Sequence, residues 1–131
     1  MLCMHRWARA QEGLSGLHVS KQLRSSSARK ARDIRRCQDF AHDACGRDAF
    51  YWEQRVGFLR GTYCVGENLV FTAGAASTVR EAMGMWLNSS EHRHNLLAPE
   101  YREIGVSLVT GRFHRSKNAH IWVAQFGYHR H

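Results

Sequence analysis

The chain has no run of about 18 apolar residues, which excludes a membrane-spanning helix of ordinary length. Its first residues, Met1-Leu2-Cys3-Met4-His5-Arg6-Trp7, lack the roughly 7–15-residue apolar core of a signal peptide. The expectation from this is a protein that stays inside the cell, or a sequence that begins downstream of a true start. Four cysteines, at 3, 37, 45 and 64, contain no Cys-x-x-Cys, so a structural zinc ribbon is not expected. Also missing are a Gly-x-Ser-x-Gly elbow, a phosphate loop, a His-Glu-x-x-His helix and the interleaved basic and aromatic residues of RNA-binding sheets. Acidic residues are few: 11 against 19 Lys and Arg, for a formal net charge of +8. That balance favours anionic surfaces and says nothing about fold.

What is present fits one domain. The 131 residues are 44% hydrophobic, enough for a core. Residues 1–17 show no clear period and read as a loose arm or frayed helix, with residues 129–131 as a basic tail. From Ser20 to Cys37, Leu23, Ser27, Ala31 and Ile34 fall on one helical face. The other face carries Lys21, Arg24, Arg29, Lys30, Arg32, Arg35 and Arg36 against Asp33. This is a solvated face in the plain reading, or an anion-binding stripe. Thr78 and Glu81 match a capping box, followed by the apolar face Val79, Ala82, Met83, Trp86 and Leu87. A short helix with His92, Asn95 and Leu96 ends at Pro99. Alternation over Ile104–Leu108 and Ile121–Gln125 predicts a hairpin. Helices first and strands last, without a βαβ rhythm, give an α+β class.

Three polar clusters carry the candidate chemistry: His42 in Phe40-Ala41-His42-Asp43, Glu67 in Gly66-Glu67-Asn68-Leu69, and His92 in Ser89-Ser90-Glu91-His92-Arg93. Two His and a Glu are a ligand set used by catalytic zinc, although no two of them share a short motif here. The plainer alternative gives each a local structural bond. Cysteine pairing stays open. A Cys37–Cys45 bridge is worth about 2.5 kcal/mol and Cys45–Cys64 about 3, too close to separate them, and buried free thiols are an equal alternative.

Taken in order, Phe40-Ala41-His42, Gly66-Glu67-Asn68-Leu69, Trp86-Leu87-Asn88-Ser89-Ser90-Glu91-His92-Arg93, Tyr101 to Gly105-Val106, and Trp122 to Gly127 resemble the bacterial secreted CAP domains. These belong to the superfamily of cysteine-rich secretory proteins, antigen 5 and pathogenesis-related class 1 proteins. The resemblance covers roughly residues 20–128, and the domain is placed at 18–128. It implies a three-layer αβα sandwich with a central, mostly antiparallel sheet and a large cleft. In the family, two His and two Glu line that cleft and can hold a divalent metal, often zinc. His42, Glu67 and His92 match three of these positions. Ser89, three residues after Trp86, stands where the second Glu is usual.

The resemblance therefore implies a secreted or envelope protein whose cleft, around His42, Glu67, His92, Asn68 and Ser89, binds a metal or a small lipid-like or cell-wall ligand without turnover. A monomer is expected, and nucleic acid is not. One alternative is a metal-dependent hydrolase using His42, Glu67 and His92. Another is an adhesion module that binds anionic wall polymer through the basic helix.

Overall fold

The computed structural model describes residues 1–130, apart from the side chain of Ala76. Helix α1 (Leu2–Gln11) leads to a two-residue strand, β1 (His18–Val19), and the long helix α2 (Lys21–Cys37). A short α3 (Tyr51–Arg55) precedes β2 (Thr62–Ala73). Helices α4 (Val79–Leu87) and α5 (Ser90–Leu97) then lead to β3 (Glu103–Phe113) and β4 (Ser116–Arg130). The sheet order is β1-β3-β4-β2, with β1 parallel to β3 and the other pairs antiparallel. Among the described residues no helix is long and apolar enough to cross a membrane.

Strand periodicity divides the core in two. Leu69, Ile121 and Val123 pack with Ala31 and Ile34 of α2 on one face. Val70, Ala124 and Phe126 pack with Ala8, Met83, Trp86 and Leu96 of α1, α4 and α5 on the other. This is the three-layer αβα sandwich with a mostly antiparallel sheet. Helix α2 starts at Ser20, whose hydroxyl accepts from the Leu23 amide, and α4 starts at Thr78, whose hydroxyl accepts from the Glu81 amide. The Leu23, Ser27, Ala31, Ile34 stripe is buried as its spacing predicts. Its small residues let the helix lie almost on the strand backbone, where the Ser27 and Ser107 hydroxyls bond at 2.7 Å.

Several expectations are corrected. Residues 2–11 are no loose arm: Arg9 is buried and its guanidinium donates to the carbonyls of Ser15, Leu96 and Ala98, closing the C-terminal end of α5. His5 is buried between the rings of Trp86 and Phe126. Burial holds its imidazole down at about 4. Two polar residues serve as core here, which a hydrophobic period cannot reveal. Residues 129 and 130 are strand rather than tail, with His129 paired to Glu103 at 2.9 Å. His131 lies outside the described residues. Cys37 and Cys45 form the disulfide, while Cys3 and Cys64 are free thiols.

Gly105 shows how tightly α2 sits on β3. A Cβ there would lie 2.1 Å from the Leu23 carbonyl carbon and 2.2 Å from the Arg24 amide nitrogen. Neither neighbour is a flexible side chain. Gly105→Ala is therefore expected to cost about 3 kcal/mol or more, the upper end of overpacking penalties, read as a fall in the urea midpoint.

Candidate functional site

Glu67 and Asn68 are neighbours in sequence but lie on opposite faces of the sheet, because strand side chains alternate. Glu67 points toward α2 and is buried. Its Oε1 lies 2.8 Å from His42 Nδ1 and 3.3 Å from Lys30 Nζ, and its Oε2 accepts from Gln125 Nε2 at 2.7 Å. Gln125 is its cross-strand partner on β4. The buried Lys30 ammonium also donates to the carbonyls of His42 and, at 2.8 Å, Ala49. One cation thus neutralises Glu67 and clamps the loop that presents His42. The hydrogen bond to Glu67 raises the His42 imidazole above its ordinary value, against the opposing effect of burial. The His42 side chain is 54% exposed, so this otherwise buried cluster meets solvent there.

Asn68 faces the other layer and is fully buried. Its amide donates to the His92 carbonyl at 2.9 Å, and its oxygen accepts from Asn95 at 3.0 Å. The Asn95 amide also reaches the Glu67 carbonyl, and the Trp86 indole donates to the Leu69 carbonyl. Asn68, expected in the cleft, instead fastens α5 to β2 and so positions His92. Burial, followed by the nearby His42, lowers the His92 imidazole below its ordinary value.

Between these two layers, around the β2 edge of the sheet, runs a cleft of about 370 Å³ lined by Phe40, Leu69, Val70, Phe71, Met85, Trp86, Ser89 and His92. Phe40 and Met85 leave apolar surface exposed. Ser89 precedes α5 but its hydroxyl does not cap the helix. Of the five residues assigned to the cleft from sequence, Ser89 and His92 line it, and His42 and Glu67 form the adjoining hydrogen-bonded pair.

Zinc on His42, Glu67 and His92 does not fit this arrangement. Both Glu67 oxygens already accept hydrogen bonds, and the Lys30 ammonium beside Oε1 would repel a divalent ion. Among the described residues no three His, Cys, Asp or Glu side chains are grouped so as to hold a metal.

Sequence reasoning misses three residues. It puts Lys30 on the solvated face of α2, yet Lys30 is buried, and Asp33 with it. Asp33 accepts from Arg36, Arg47 and the Trp52 indole. Burial disfavours its ionised form, but these donors outweigh that and hold its carboxyl below the usual range. Glu53 on α3 is wholly buried, and the Ser26 hydroxyl and its own backbone amide are only weak donors to its carboxyl, neither in good hydrogen-bond geometry. Burial, with the negative field of Glu67 added, pushes Glu53 up to about 7. The usable signal is spacing. Ser26, Lys30 and Asp33 recur at helical intervals beside the apolar stripe, as an inward polar seam would.

These buried charges can be tested one at a time. Lys30→Met leaves Glu67 buried without its counterion and is expected to cost about 3–5 kcal/mol in chemical denaturation, with Lys30→Met/Glu67→Gln recovering much of the loss. Glu53 is raised in the folded state, so its contribution is present below about 4.5 and lost as pH rises through about 7. Glu53→Gln should therefore match the parent near pH 4 and exceed it by roughly 2–3 kcal/mol at pH 8, measured by urea melts at both values.

Comparison with known proteins agrees with this architecture. The model of the Cysteine-rich secretory protein family (CAP) matches residues 2–126, taking in helix α1, which lies outside the 18–128 span expected from sequence. The Bacillus subtilis (strain 168) protein YkwD is 28% identical over 118 residues, covering 90% of this chain and 42% of that protein. The chain thus spans less than half the length of this curated relative. An outer surface protein of Borrelia burgdorferi superposes with a TM-score of 0.81 at 16% identity, over 98% of this chain and 90% of that one. An extracellular SCP-domain protein of Bacillus anthracis gives 0.74 at 21% identity, over 96% of this chain and 39% of that one. At these identities the two structures speak for the fold alone, and with the match over residues 2–126 this chain belongs to the cysteine-rich secretory protein (CAP) family.

Proposed function

We propose that this CAP domain is exported and that its cleft seats a ligand with an apolar body and a hydrogen-bonding head, without turning it over. The observation that carries the reading is the cleft lining: six of its eight residues are apolar, and the polar side chains are Ser89 and His92. Its volume falls within the roughly 300–1,000 Å³ range of small-molecule sites. Glu67 has its oxygens engaged by Lys30, His42 and Gln125, which argues against its serving as a free general base. The Lys30 ammonium beside Glu67 supports a cleft that needs no metal. Export is supported by the Cys37–Cys45 disulfide, which suits an oxidising compartment, and by relatives described as outer surface or extracellular proteins.

The test uses a naturally fluorescent polyene fatty acid as the probe. The parent protein should bind it saturably. Met85→Asp, which puts a charge at an exposed position of the lining, should weaken binding at least tenfold, or about 1.4 kcal/mol, without lowering the melting temperature. His92→Ala should weaken it less. Binding unchanged in Met85→Asp would sink the cleft assignment. Zinc titration by calorimetry runs alongside: stoichiometric zinc that disappears in His42→Ala/His92→Ala would overturn the metal-independent part and reopen the hydrolase reading.

A further inference from the structure

A second concavity, of about 710 Å³, lies where the C-terminal end of α2 meets the β3–β4 hairpin. It is lined by Arg32, Arg35, Arg36, Gln38, Arg112 and His114, and shares no residue with the apolar cleft. Arg32, Arg35 and Arg112 have no carboxylate within ion-pair distance among the described residues. Arg36 reaches Asp33 at 3.3 Å, but that carboxylate is shared with Arg47 and Trp52.

Basic residues in the last turn of a helix complement its dipole, and this accounts for Arg35 and Arg36. It does not account for Arg112, which comes from the hairpin and joins guanidinium groups that repel it. Three departures from regular backbone bring it there. Gln38 adopts a left-handed conformation (φ 51°), and its side chain staples the helix to the hairpin. Nε2 donates to the Arg35 and Arg112 carbonyls, and Oε1 accepts from the His114 amide at 2.7 Å. His114 is itself left-handed (φ 51°). The β3–β4 register shifts between Gly111 and Phe113, where Arg112 alone stands opposite Lys117 and Asn118; the extra residue of this bulge lies on β4, and such a bulge re-aims the side chains around it. Gly111 borders the groove with φ 142°, a backbone conformation that favours glycine, and its missing Cβ leaves the Arg35 guanidinium close against the hairpin.

Planar guanidinium forks match phosphate oxygens, and several of them without carboxylate partners suit a ligand of repeated negative charge. The groove offers no free aromatic face on which a nucleobase could stack. The one ring in its lining, His114, packs against Phe113 with centroids 4.1 Å apart at 77°. We propose that this groove binds the phosphate groups of a polyol-phosphate chain, an anionic polymer without bases. The reading is independent of the apolar cleft. It also replaces the helix-long basic stripe, since Lys30 is buried and Arg29 lies over the Trp52 ring.

The test is titration of labelled poly(glycerol phosphate) by fluorescence anisotropy at several salt concentrations. The parent is compared with Arg35→Gln/Arg112→Gln and with Lys21→Gln/Arg24→Gln, a pair of equal charge loss at the other end of α2. All four side chains are exposed, and the melting temperature should be unchanged in both variants. The groove variant is expected to bind at least tenfold more weakly, with its log–log salt slope reduced by about 1.4, or ~0.7 per lost phosphate contact. The control pair should lose less than threefold. Arg35→Lys/Arg112→Lys, which keeps charge but removes the forks, should fall between parent and Gln variant. Equal weakening in the two Gln variants would reduce the effect to net charge and overturn the site, as would no binding by the parent. Tighter binding of an oligothymidylate of equal charge would reassign the groove to single-stranded nucleic acid.

Discussion

A buried ammonium holds this domain's polar centre together. Lys30 carries its charge from α2 into the space between that helix and the sheet, where it meets Glu67 and the carbonyls of His42 and Ala49. Removed from water, neither Lys30 nor Glu67 is tolerable alone. Their pairing fixes the distance from α2 to β2 and draws the loop after α2 inward. His42 then falls within hydrogen-bond reach of Glu67, and Phe40, two residues earlier, packs edge-on against Phe71 with centroids 4.9 Å apart. The wall of the cleft on the α2 side is thus a consequence of one ion pair.

The opposite wall has a different origin. Asn68 and Asn95 bond to each other, to the His92 carbonyl and to the strand, and Trp86 bonds to the carbonyl one residue further on. Three consecutive residues of one strand therefore serve three ends. Glu67 holds the α2 side, Asn68 holds the α5 side, and Leu69 contributes its side chain to the cleft and its carbonyl to Trp86. Glu53 stands apart: it is buried near the Lys30–Glu67 pair with only weak donors beside it, and one ammonium serves a space that two carboxyl groups share.

Much of the fold is legible in the sequence because its determinants are periodic. The stripe Leu23–Ile34, the capping box at Thr78 and the alternating hairpin strands each encode their own geometry over a few residues. The CAP resemblance adds the order in which these pieces pack. Charged residues whose partners are distant in sequence are not legible. Arg9 is matched to carbonyls nearly ninety positions away, and Lys30 to a glutamate on another element, so both read as surface. The aromatics mislead in the other direction. Tyr63 has the aromatic character of a core residue, yet it is 47% exposed, at the second position of β2. For the site, residue identities are readable at His42, Glu67, Ser89 and His92. The role of Asn68 is not, since a strand's alternation is visible only once the strand is known to run through Gly66 and Glu67.

Strand β2 is the last strand of the sheet, and its outer side would ordinarily present a row of open carbonyls to any other extended chain. Here the Glu67 carbonyl is taken by Asn95 and the Leu69 carbonyl by Trp86. The border that forms the cleft is therefore closed to strand addition along its central stretch. Many copies could crowd together on a surface without recruiting one another into a continuous sheet. An occupant of the cleft would find those two carbonyls already engaged and would be held by the side chains that line it.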